Sequence, residues 1–381
     1  MDFELTAAQQ AWMEGLRELI ARDVEPQVAE VDKEERFPQE IWDKLVSYGL
    51  CGLPVPQAYG GAGQPFLMAV MAEEEISQSL PAVALALAVQ WGICDILLQF
   101  GTEAQIRQYL PPLAQGQKIA AFMLSEPGGG SDPAALLTQA IREGEGYRIN
   151  GHKRWITSAT VAGLFVLFAR TEDGKASCFL VERGEPGLKI GRVADKLGYR
   201  GSDTCDVHLE GLWVPQERLL GKPGEGLRVG FTMLDGSRIG VGAQGVGIAQ
   251  AALNEAVRHA RERHVFGRPL GANQAIQWMI ADMTLKIEAA RLLVYQAARL
   301  KDRGQGHTQA ASMAKLYGSE VAAETTRQAV QIFGGYGCTK EYKVERLYRD
   351  AKLTEIFEGT SEIQRIIIAR QALGSELVRT H

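Results

Sequence analysis

The spacing of apolar residues divides the chain into three segments, and the first of them is helical. Between residues 6 and 110, apolar side chains recur at intervals of three and four, as at Trp12, Leu16 and Leu19. This is the period of an amphipathic helix. Prolines and glycines between positions 54 and 63 predict a loop between helices. The tandem Pro111-Pro112 predicts the end of the segment.

The second segment has the pattern of β-strands. Between residues 119 and 220 the apolar period shortens to two, or gives way to short runs of β-branched and aromatic residues. The predicted strands include Tyr147–Asn150, Leu164–Arg170 and Ser177–Glu182. Asp173 and Gly174 both tolerate positive φ and predict a hairpin between the last two strands. The segment is therefore predicted to be mainly antiparallel β.

The helical period returns in the third segment, from Leu227 onward. Long helices are predicted at roughly 240–262, 272–303 and 308–333. The predicted fold class is a multidomain α+β protein. A helical domain covers residues 1–118, an antiparallel β domain covers residues 119–226, and a second helical domain covers residues 227–381.

The composition is that of a soluble enzyme. Of the 381 residues, 46% are hydrophobic and 23% are charged, which is enough to build a large core. The formal net charge of −5 gives no broad positive field for phosphate backbones, so nucleic acid is not an expected partner. The 5 cysteines are scattered and show neither disulfide nor zinc-site spacing, so no metal is expected and a reducing compartment fits.

Targeting and membrane signals are not apparent in the pattern. The first residues are acidic and lack the basic start and apolar stretch of a signal peptide. The longest apolar runs, such as Pro81–Val89, are shorter than the ~20 residues that a membrane-spanning helix needs. We therefore expect a cytoplasmic protein without a membrane span.

The segment around Glu358 contains the strongest candidate for chemistry. Ser361 and Gln364 have the spacing of a capping box, so a helix is predicted to begin there, just after Glu358. Gly359 leaves room for a ligand near the backbone, and Phe357 supplies an apolar setting that raises the pKa of a carboxylic acid. Glu358 is therefore a candidate general base. Taken alone, the segment also fits a solvated joint between two helices.

Two further segments could hold a flat ring or an anion. The strand-like run that ends at Ser125 opens into a glycine-rich loop over residues 126–132, whose backbone N–H groups can face a heteroaromatic edge. Trp155 and Thr157 are two residues apart and hence on one face of a strand, where a ring could stack. Each segment also fits an ordinary β connection or core packing.

Six segments of the chain, taken together, resemble those of the acyl-CoA dehydrogenases in order and spacing. They are residues 124–132, 155–157, 196–202, 263–267, 331–337 and 349–365. The resemblance extends over essentially the whole chain. It implies the three-domain fold above, FAD as the cofactor, and α,β-oxidation of an acyl-CoA thioester. In this reaction Glu358 takes the α-proton while a hydride moves from the β-carbon to flavin N5.

The resemblance also implies roles for individual residues. Those at the flavin ring are Phe122, Leu124, Ser125, Trp155 and Thr157. Those on the adenosine diphosphate half, partly across a dimer interface, are Arg263, Phe266, Gln274, Gln331, Gly335, Thr360 and Glu362. The implied substrate contacts are Ser131, Asp235, Arg238 and Gly359.

The implied partners are an electron-transferring flavoprotein and further copies of the chain, in a homotetramer built from dimers. Some members of the family carry their base at the position of Ser237, so Glu358 is left as the candidate here. Trp91, Cys94 and Asp95 are expected near the floor of the acyl pocket, although core packing is the preferred interpretation of Trp91.

Several other interpretations were compared with this one. Residues 240–245 formally match a dinucleotide fingerprint, but they lie within a predicted helix without neighbouring strands, so close helix packing explains the glycines better. A hydrolase built on Ser131 lacks the G-x-S-x-G elbow. Three alternatives stay open: a thioester tethered to a carrier protein, a reductive physiological direction, and a non-catalytic flavin-binding relative. The length and branching of the acyl chain are not predicted.

Overall fold

The computed structural model describes residues 3–374. Six helices come first, eight strands follow, and five further helices with a small hairpin complete this part of the chain. The order of helices, sheet and helices confirms the predicted fold class. The first helices are α1 (Ala7–Leu19), α2 (Val28–Glu34), α3 (Gln39–Ser47), α4 (Phe66–Ser77), α5 (Pro81–Phe100) and α6 (Glu103–Ala114).

Threonine caps begin two helices of the first domain. The side chains of Thr6 and Thr102 each accept a hydrogen bond from the backbone three residues on. The side-chain oxygens of Gln9 and Gln105 in turn accept hydrogen bonds from the backbone N–H groups of the two threonines, which closes a capping box at each helix start. Both helix beginnings are therefore encoded locally.

The prediction that Pro111-Pro112 ends the helical domain is wrong by a few residues. Both prolines lie inside α6, which continues to Ala114. Proline removes a backbone donor from a helix and so weakens it. Here the buried side chains of Leu110 and Leu113 hold this last turn against the core. Packing therefore outweighs the local signal.

The prediction that every apolar run is too short to cross a membrane is also wrong. Helix α5 has 20 residues and is apolar enough to span a bilayer. However, 83% of its most apolar stretch is buried inside the protein, as expected for a core helix.

The middle domain is a twisted sheet of eight strands. They are β1 (Ala120–Met123), β2 (Gln139–Glu143), β3 (Gly146–Thr157), β4 (Leu164–Arg170), β5 (Ala176–Glu182), β6 (Leu188–Val193), β7 (Thr204–Pro215) and β8 (Leu219–Leu220). The order is β6-β7-β3-β2-β4-β5-β8, with β1 paired to β4. Most pairs are antiparallel, as predicted, whereas β1 and β2 each run parallel to β4. The hairpin predicted at Asp173-Gly174 joins β4 to β5.

The last domain is built on one helix of 37 residues, α7 (Gly226–Glu262). A Cβ on Gly245 would lie 2.5 Å from the backbone oxygen of Gly318, so the glycine lets two helices approach closely. This confirms the helix-packing interpretation for Gly245 and for Gly242, which faces the Ala314 oxygen in the same way. The other elements are β9 (His264–Val265), β10 (Arg268–Pro269), α8 (Gln274–Asp302), α9 (Thr308–Phe333), α10 (Lys343–Thr354) and α11 (Ser361–Leu373).

Candidate active site

Glu358 lies in the turn between α10 and α11, where its backbone is held in a left-handed conformation. Glu358 has φ +56° and Gly359 has φ +94°. A residue other than glycine adopts this region at a cost, and such positions cluster at functional sites. The turn is fixed by donors from two helices. Gln364 Nε2 donates to the Gly359 oxygen at 2.9 Å, and Lys315 Nζ donates to the same oxygen at 2.7 Å.

The helix predicted from Ser361 and Gln364 begins at Ser361, but its capping contacts differ from the predicted capping box. Thr360 is the N-cap, and its hydroxyl accepts a hydrogen bond from the backbone N–H of Ile363. Gln364 does not close a capping box. Its amide turns back to the carbonyl oxygens of Glu358 and Gly359. The sequence pattern therefore located the helix, but the contacts of the Gln364 side chain depend on the fold of the turn.

The carboxyl group of Glu358 lies near the charges of Arg238 and Lys315, but within residues 3–374 it forms a salt bridge with neither. Its Oε2 accepts a hydrogen bond from Ser237 Oγ at 2.8 Å. Burial raises the pKa of Glu358, while the Ser237 bond and the charges of Arg238 and Lys315 oppose the rise. Burial in turn lowers the pKa of Lys315 to about 7, against the attraction of Glu358. The carboxylate is therefore more basic than in water and can take a proton.

The predicted CoA contacts Asp235 and Arg238 lie on α7, beside this turn. Arg238 is buried and donates to Asp235 Oδ1 at 2.7 Å. The other Asp235 oxygen accepts from Thr308 at the start of α9. Arg238 Nε is buried without a hydrogen-bond partner in the part of the chain that the structure describes. The guanidinium of Arg238 therefore acts on Glu358 as a nearby positive charge, partly offset by Asp235, an effect that the sequence interpretation missed.

A cavity of about 510 Å³ lies next to Ser237. Trp91, Cys94 and Asp95 line it, at the positions where the sequence interpretation expected the pocket floor. Trp91 also belongs to the core, since its Nε1 donates to the Leu50 oxygen at 2.9 Å and fixes the ring. Helices α5 and α7 therefore enclose a space beside the candidate base that is large enough for a short chain.

The predicted flavin face lies on the sheet at a bulge of β3. The register against β7 shifts between Lys153 and Ile156. Within the bulge, Trp155 has φ +63° and remains 55% exposed. The Arg154 backbone N–H donates to the Ser125 oxygen at 3.0 Å, which brings the end of the first strand beside the tryptophan. A large aromatic side chain held exposed in a left-handed backbone fits the edge of a flat ring.

The other residues predicted at the ring surround this face. Phe122 is half-buried against Phe168 and points toward α7, and Leu124 is buried beneath the loop. Thr157 ends β3 and is half-buried, whereas Ser131 is exposed in the glycine-rich loop. Among the described residues, no histidine is hydrogen-bonded to Ser131, so the hydrolase alternative gains no support.

A buried ion pair holds this loop, and sequence reasoning did not single it out. Lys153 Nζ donates to Glu126 Oε1 at 2.7 Å and to the Leu124 oxygen at 3.2 Å. The carboxylate also accepts backbone N–H bonds from Leu137 at 2.6 Å and Thr138 at 3.0 Å. One salt bridge therefore ties β1, the glycine loop and β3 together. Its only sequence signal was a glutamate beside the loop and a lysine beside the bulge.

The residues predicted at the adenosine diphosphate half fall into two groups. Arg263 lies 5.3 Å from the ring of Tyr336, which follows Gly335. The tip of the β9–β10 hairpin is Phe266, which has φ +50° and is 98% exposed. Exposed positions at helix ends complete this first group: Gln274 and Gln331. The second group, Thr360 and Glu362, begins α11 beside the catalytic turn instead.

These features fit FAD. The glycine-rich loop is open, because a Cβ on Gly128 or Gly129 would meet no atom within 4 Å, and the exposed Trp155 borders it. This face, together with a half-buried carboxyl group that is hydrogen-bonded to a residue of a chain-sized cavity, fits the class of flavin-dependent dehydrogenases that remove a proton next to a carbonyl.

Comparison with known families agrees with the geometry. The three acyl-CoA dehydrogenase domain models match residues 6–117 (N-terminal), 121–212 (middle) and 224–373 (C-terminal). A short-chain specific acyl-CoA dehydrogenase of Clostridium acetobutylicum is 46% identical over 97% of this chain and 99% of its own. The acryloyl-CoA reductase (NADH) of Anaerotignum propionicum is 42% identical over 98% and 96% of the two chains.

A solved structure is equally similar. The butyryl-CoA dehydrogenase of Megasphaera elsdenii superposes with a TM-score of 0.96 at 39% identity, over 98% of this chain and 100% of its own. The chain therefore belongs to the acyl-CoA dehydrogenase family. It is an oxidoreductase of acyl-CoA thioesters with FAD as its cofactor, as the six motifs predicted.

Proposed function

We propose that the protein oxidises a short, unbranched acyl-CoA thioester at its α- and β-carbons, with Glu358 as the base. The observation that carries the proposal is the position of the Glu358 carboxyl group. It is bonded to Ser237 at the border of the cavity, and burial raises its pKa. Bound FAD would supply the acceptor for the hydride that leaves the β-carbon.

The same turn supplies a donor for the thioester oxygen. In the part of the chain that the structure describes, no backbone oxygen accepts a hydrogen bond from the N–H of Glu358. This N–H can therefore donate to the carbonyl oxygen, on which negative charge develops as the α-proton leaves. The donors on the Gly359 oxygen keep the peptide group in place, because Lys315 and Gln364 hold it from two helices.

Two observations favour a short acyl group. The ring of Trp91 is fixed by its bond to the Leu50 oxygen and occupies volume at the cavity wall. The similar proteins include a short-chain specific dehydrogenase and a butyryl-CoA dehydrogenase. An anaerobic titration with straight-chain acyl-CoA thioesters tests this. Butyryl-CoA should bleach the flavin absorbance, and palmitoyl-CoA should not. If no acyl-CoA bleaches it, the non-catalytic alternative holds instead.

A second candidate is the reverse reaction, reduction of an enoyl-CoA. The similarity to an acryloyl-CoA reductase favours it. Family resemblance supports an electron-transferring flavoprotein as the partner in the oxidative direction. Reduction of such a flavoprotein by the enzyme and butyryl-CoA would support oxidation, whereas NADH-dependent saturation of crotonyl-CoA would support the reductase. A carrier-protein thioester is tested in the same assay by exchanging CoA for a carrier.

The proposed assembly is a homotetramer built from dimers. Trp278, Leu285 and Leu292 recur every seven residues on α8 and are 62%, 69% and 55% exposed. Such a stripe is expected to pack against another chain. The predicted FAD contacts lie in two separate groups, and Phe266 in one of them is almost fully exposed. Both facts favour the same assembly, in which a second chain covers the exposed group. Light scattering should give four chains per particle, and Leu285→Glu should reduce this number. The reducing cytoplasm is the proposed location, supported by five unpaired cysteines.

A further inference from the structure

A buried carboxyl group of α4 borders the cavity and has no part in the chemistry proposed above. Glu73 is 1% exposed and lines the cavity together with Gly240 and Ser237. Its Oε1 accepts a hydrogen bond from Gln244 Nε2 at 2.6 Å, and Gln244 Oε1 accepts one from the Tyr199 hydroxyl at 2.8 Å. Within residues 3–374 no hydrogen bond reaches Glu73 Oε2. This oxygen is the free end of a buried polar chain.

Helix α7 leaves room for this oxygen. A Cβ on Gly240 would lie 2.6 Å from Glu73 Oε2, closer than real Cβ atoms approach an oxygen. The neighbouring glycines have another purpose, since Gly242 and Gly245 face the backbone of α9. Gly240 faces a side chain of the cavity wall instead, so the space there belongs to the cavity and the carboxyl group.

The distance along α7 places Glu73 near the end of a short acyl chain. Ser237, which holds Glu358, is three residues before Gly240, a rise of roughly 4.5 Å along the helix. At ~1.5 Å per single bond, this corresponds to about three bonds. A substrate with its α-carbon at Glu358 therefore brings the fourth or fifth atom of its chain beside the Glu73 carboxyl group.

The carboxyl group is expected to be protonated when substrate binds. Burial raises the pKa of Glu73 to about 8, and the bond from Gln244 opposes the rise. The lysine of the cavity wall, Lys301, forms a salt bridge with Asp95 at 2.6 Å. A protonated carboxyl group has an O–H to donate. A plain hydrocarbon chain would leave that donor without a partner in a buried site, which is unfavourable, whereas an oxygen atom would accept the bond.

We infer that the substrate is a short acyl-CoA thioester with a hydrogen-bond-accepting oxygen, such as a hydroxyl or ether, about three bonds beyond its α-carbon. Glu73 donates to this oxygen and selects the substrate over the hydrocarbon of equal length. The inference rests on the proposed function and names the acyl class that the same site takes.

The test compares two thioesters of equal shape on the FAD-loaded enzyme. In 4-methoxybutyryl-CoA an ether oxygen replaces the fifth carbon of hexanoyl-CoA. Anaerobic stopped-flow measurement of flavin bleaching at pH 7 gives the rate and the half-saturating concentration for each. The wild-type enzyme should use the ether at least 10-fold more efficiently. Equal efficiency, or a preference for hexanoyl-CoA, would overturn the inference, because water or another partner would then satisfy Glu73.

Variants assign the preference to the carboxyl group. Glu73→Met removes the polar end and replaces the neutral, protonated carboxyl group with an apolar side chain of similar volume. It should reverse the preference in favour of hexanoyl-CoA, whereas Glu73→Gln, whose amide can still donate, should keep a reduced preference for the ether. Gln99→Met is the matched control, because Gln99 lines the outer, exposed part of the cavity. It should leave the preference unchanged. An unchanged preference in Glu73→Met would also overturn the inference.

The result can be separated from a failure of the proposed function. If butyryl-CoA, hexanoyl-CoA and the ether all leave the flavin oxidised, the proposed dehydrogenation is refuted. If butyryl-CoA bleaches the flavin but the ether has no advantage, the dehydrogenation stands and only the selection by Glu73 is refuted.

Discussion

The protein contains two buried lysines that lie near glutamates, and the two arrangements have opposite effects on the carboxylate. In the β domain, Lys153 contacts Glu126 directly at 2.7 Å. Burial raises the pKa of Glu126, but the charge and hydrogen bond of Lys153 outweigh it and the net pKa is lowered. In the C-terminal domain, Lys315 donates to the Gly359 carbonyl oxygen instead. There burial prevails, and the pKa of Glu358 is raised.

The difference separates a structural carboxylate from a reactive one. A direct ion pair stabilises the charged form and makes Glu126 a poor base, fixed in place by three donors, one from a side chain and two from the backbone. Lys315 donates to the neighbouring Gly359 carbonyl oxygen and not to the Glu358 carboxylate, so Glu358 stays basic. The nearby charge of Lys315 still favours the ionised form of Glu358. The turn can therefore hold a carboxylate that is a stronger base than a carboxylate in water.

The largest expected effect comes from removing the reactive carboxylate. Glu358→Gln should lower the rate of flavin bleaching by butyryl-CoA by about 10³-fold or more, because an amide cannot take the α-proton. FAD content, measured by absorbance per chain, should stay normal. The matched control is Glu126→Gln, which should lose stability or FAD rather than the proton transfer step. A near-normal rate in Glu358→Gln would contradict the assignment of the base.

Breaking the structural pair should cost stability. Lys153→Met leaves the Glu126 carboxylate buried without its cation, which is expected to cost about 3–5 kcal/mol of unfolding free energy. Urea denaturation measures this loss. The double variant Lys153→Met with Glu126→Gln should recover part of it, because no charge is then left unpaired. If the single variant were as stable as the wild type, the pair would not hold the loop.

Lys315→Met should have a smaller and pH-dependent effect. The positive charge of Lys315 lowers the pKa of Glu358, so its removal should raise that pKa and move the half-maximal rate to higher pH. Because the pKa of Lys315 is itself about 7, the difference from wild type should be greatest below pH 7. We expect a rate loss of about 10-fold there. The exposed Lys352→Met is the control, and a uniform loss at all pH values would indicate a purely structural role.

Sequence reasoning predicted the fold class from a local pattern, and the structure confirms it, whereas Glu358 was singled out as the base by the resemblance of six segments and stays a prediction. The apolar period separates helices from strands, and the glycine after Glu358 marks a turn. The contacts that tune the site are not local. Lys315 lies 44 positions from Gly359, and Ser237 lies 121 positions from Glu358. Lys153 lies 27 positions after its partner Glu126. Polar side chains at such distances meet only through the fold, so the pattern could not pair them.

The same limit explains the errors. Pro111-Pro112 and the length of α5 were judged from local rules, whereas core packing decided both. In the sequence, Glu73 is one of three consecutive glutamates, and no pattern singles it out. Only the packing of α4 on α7 distinguishes it from its neighbours. Glu74 pairs with Arg291 and Glu75 with Arg17, whereas Glu73 faces the cavity.

The smallest expected effect lies at the edge of the proposed cofactor site, far from either lysine. Arg263→Ala removes a guanidinium at the end of α7 that lies 5.3 Å from the ring of Tyr336, in the turn after α9. An exposed cation–π contact contributes about 0.5–1 kcal/mol, so the fold should survive. What should fall is retention of FAD, measured as flavin per chain after gel filtration. Reconstitution with excess FAD should restore bleaching by butyryl-CoA, because the base and the cavity are untouched. Full flavin occupancy without added FAD would contradict a role for Arg263 in holding the cofactor, and a rate that added FAD fails to restore would link this edge to the chemistry at Glu358.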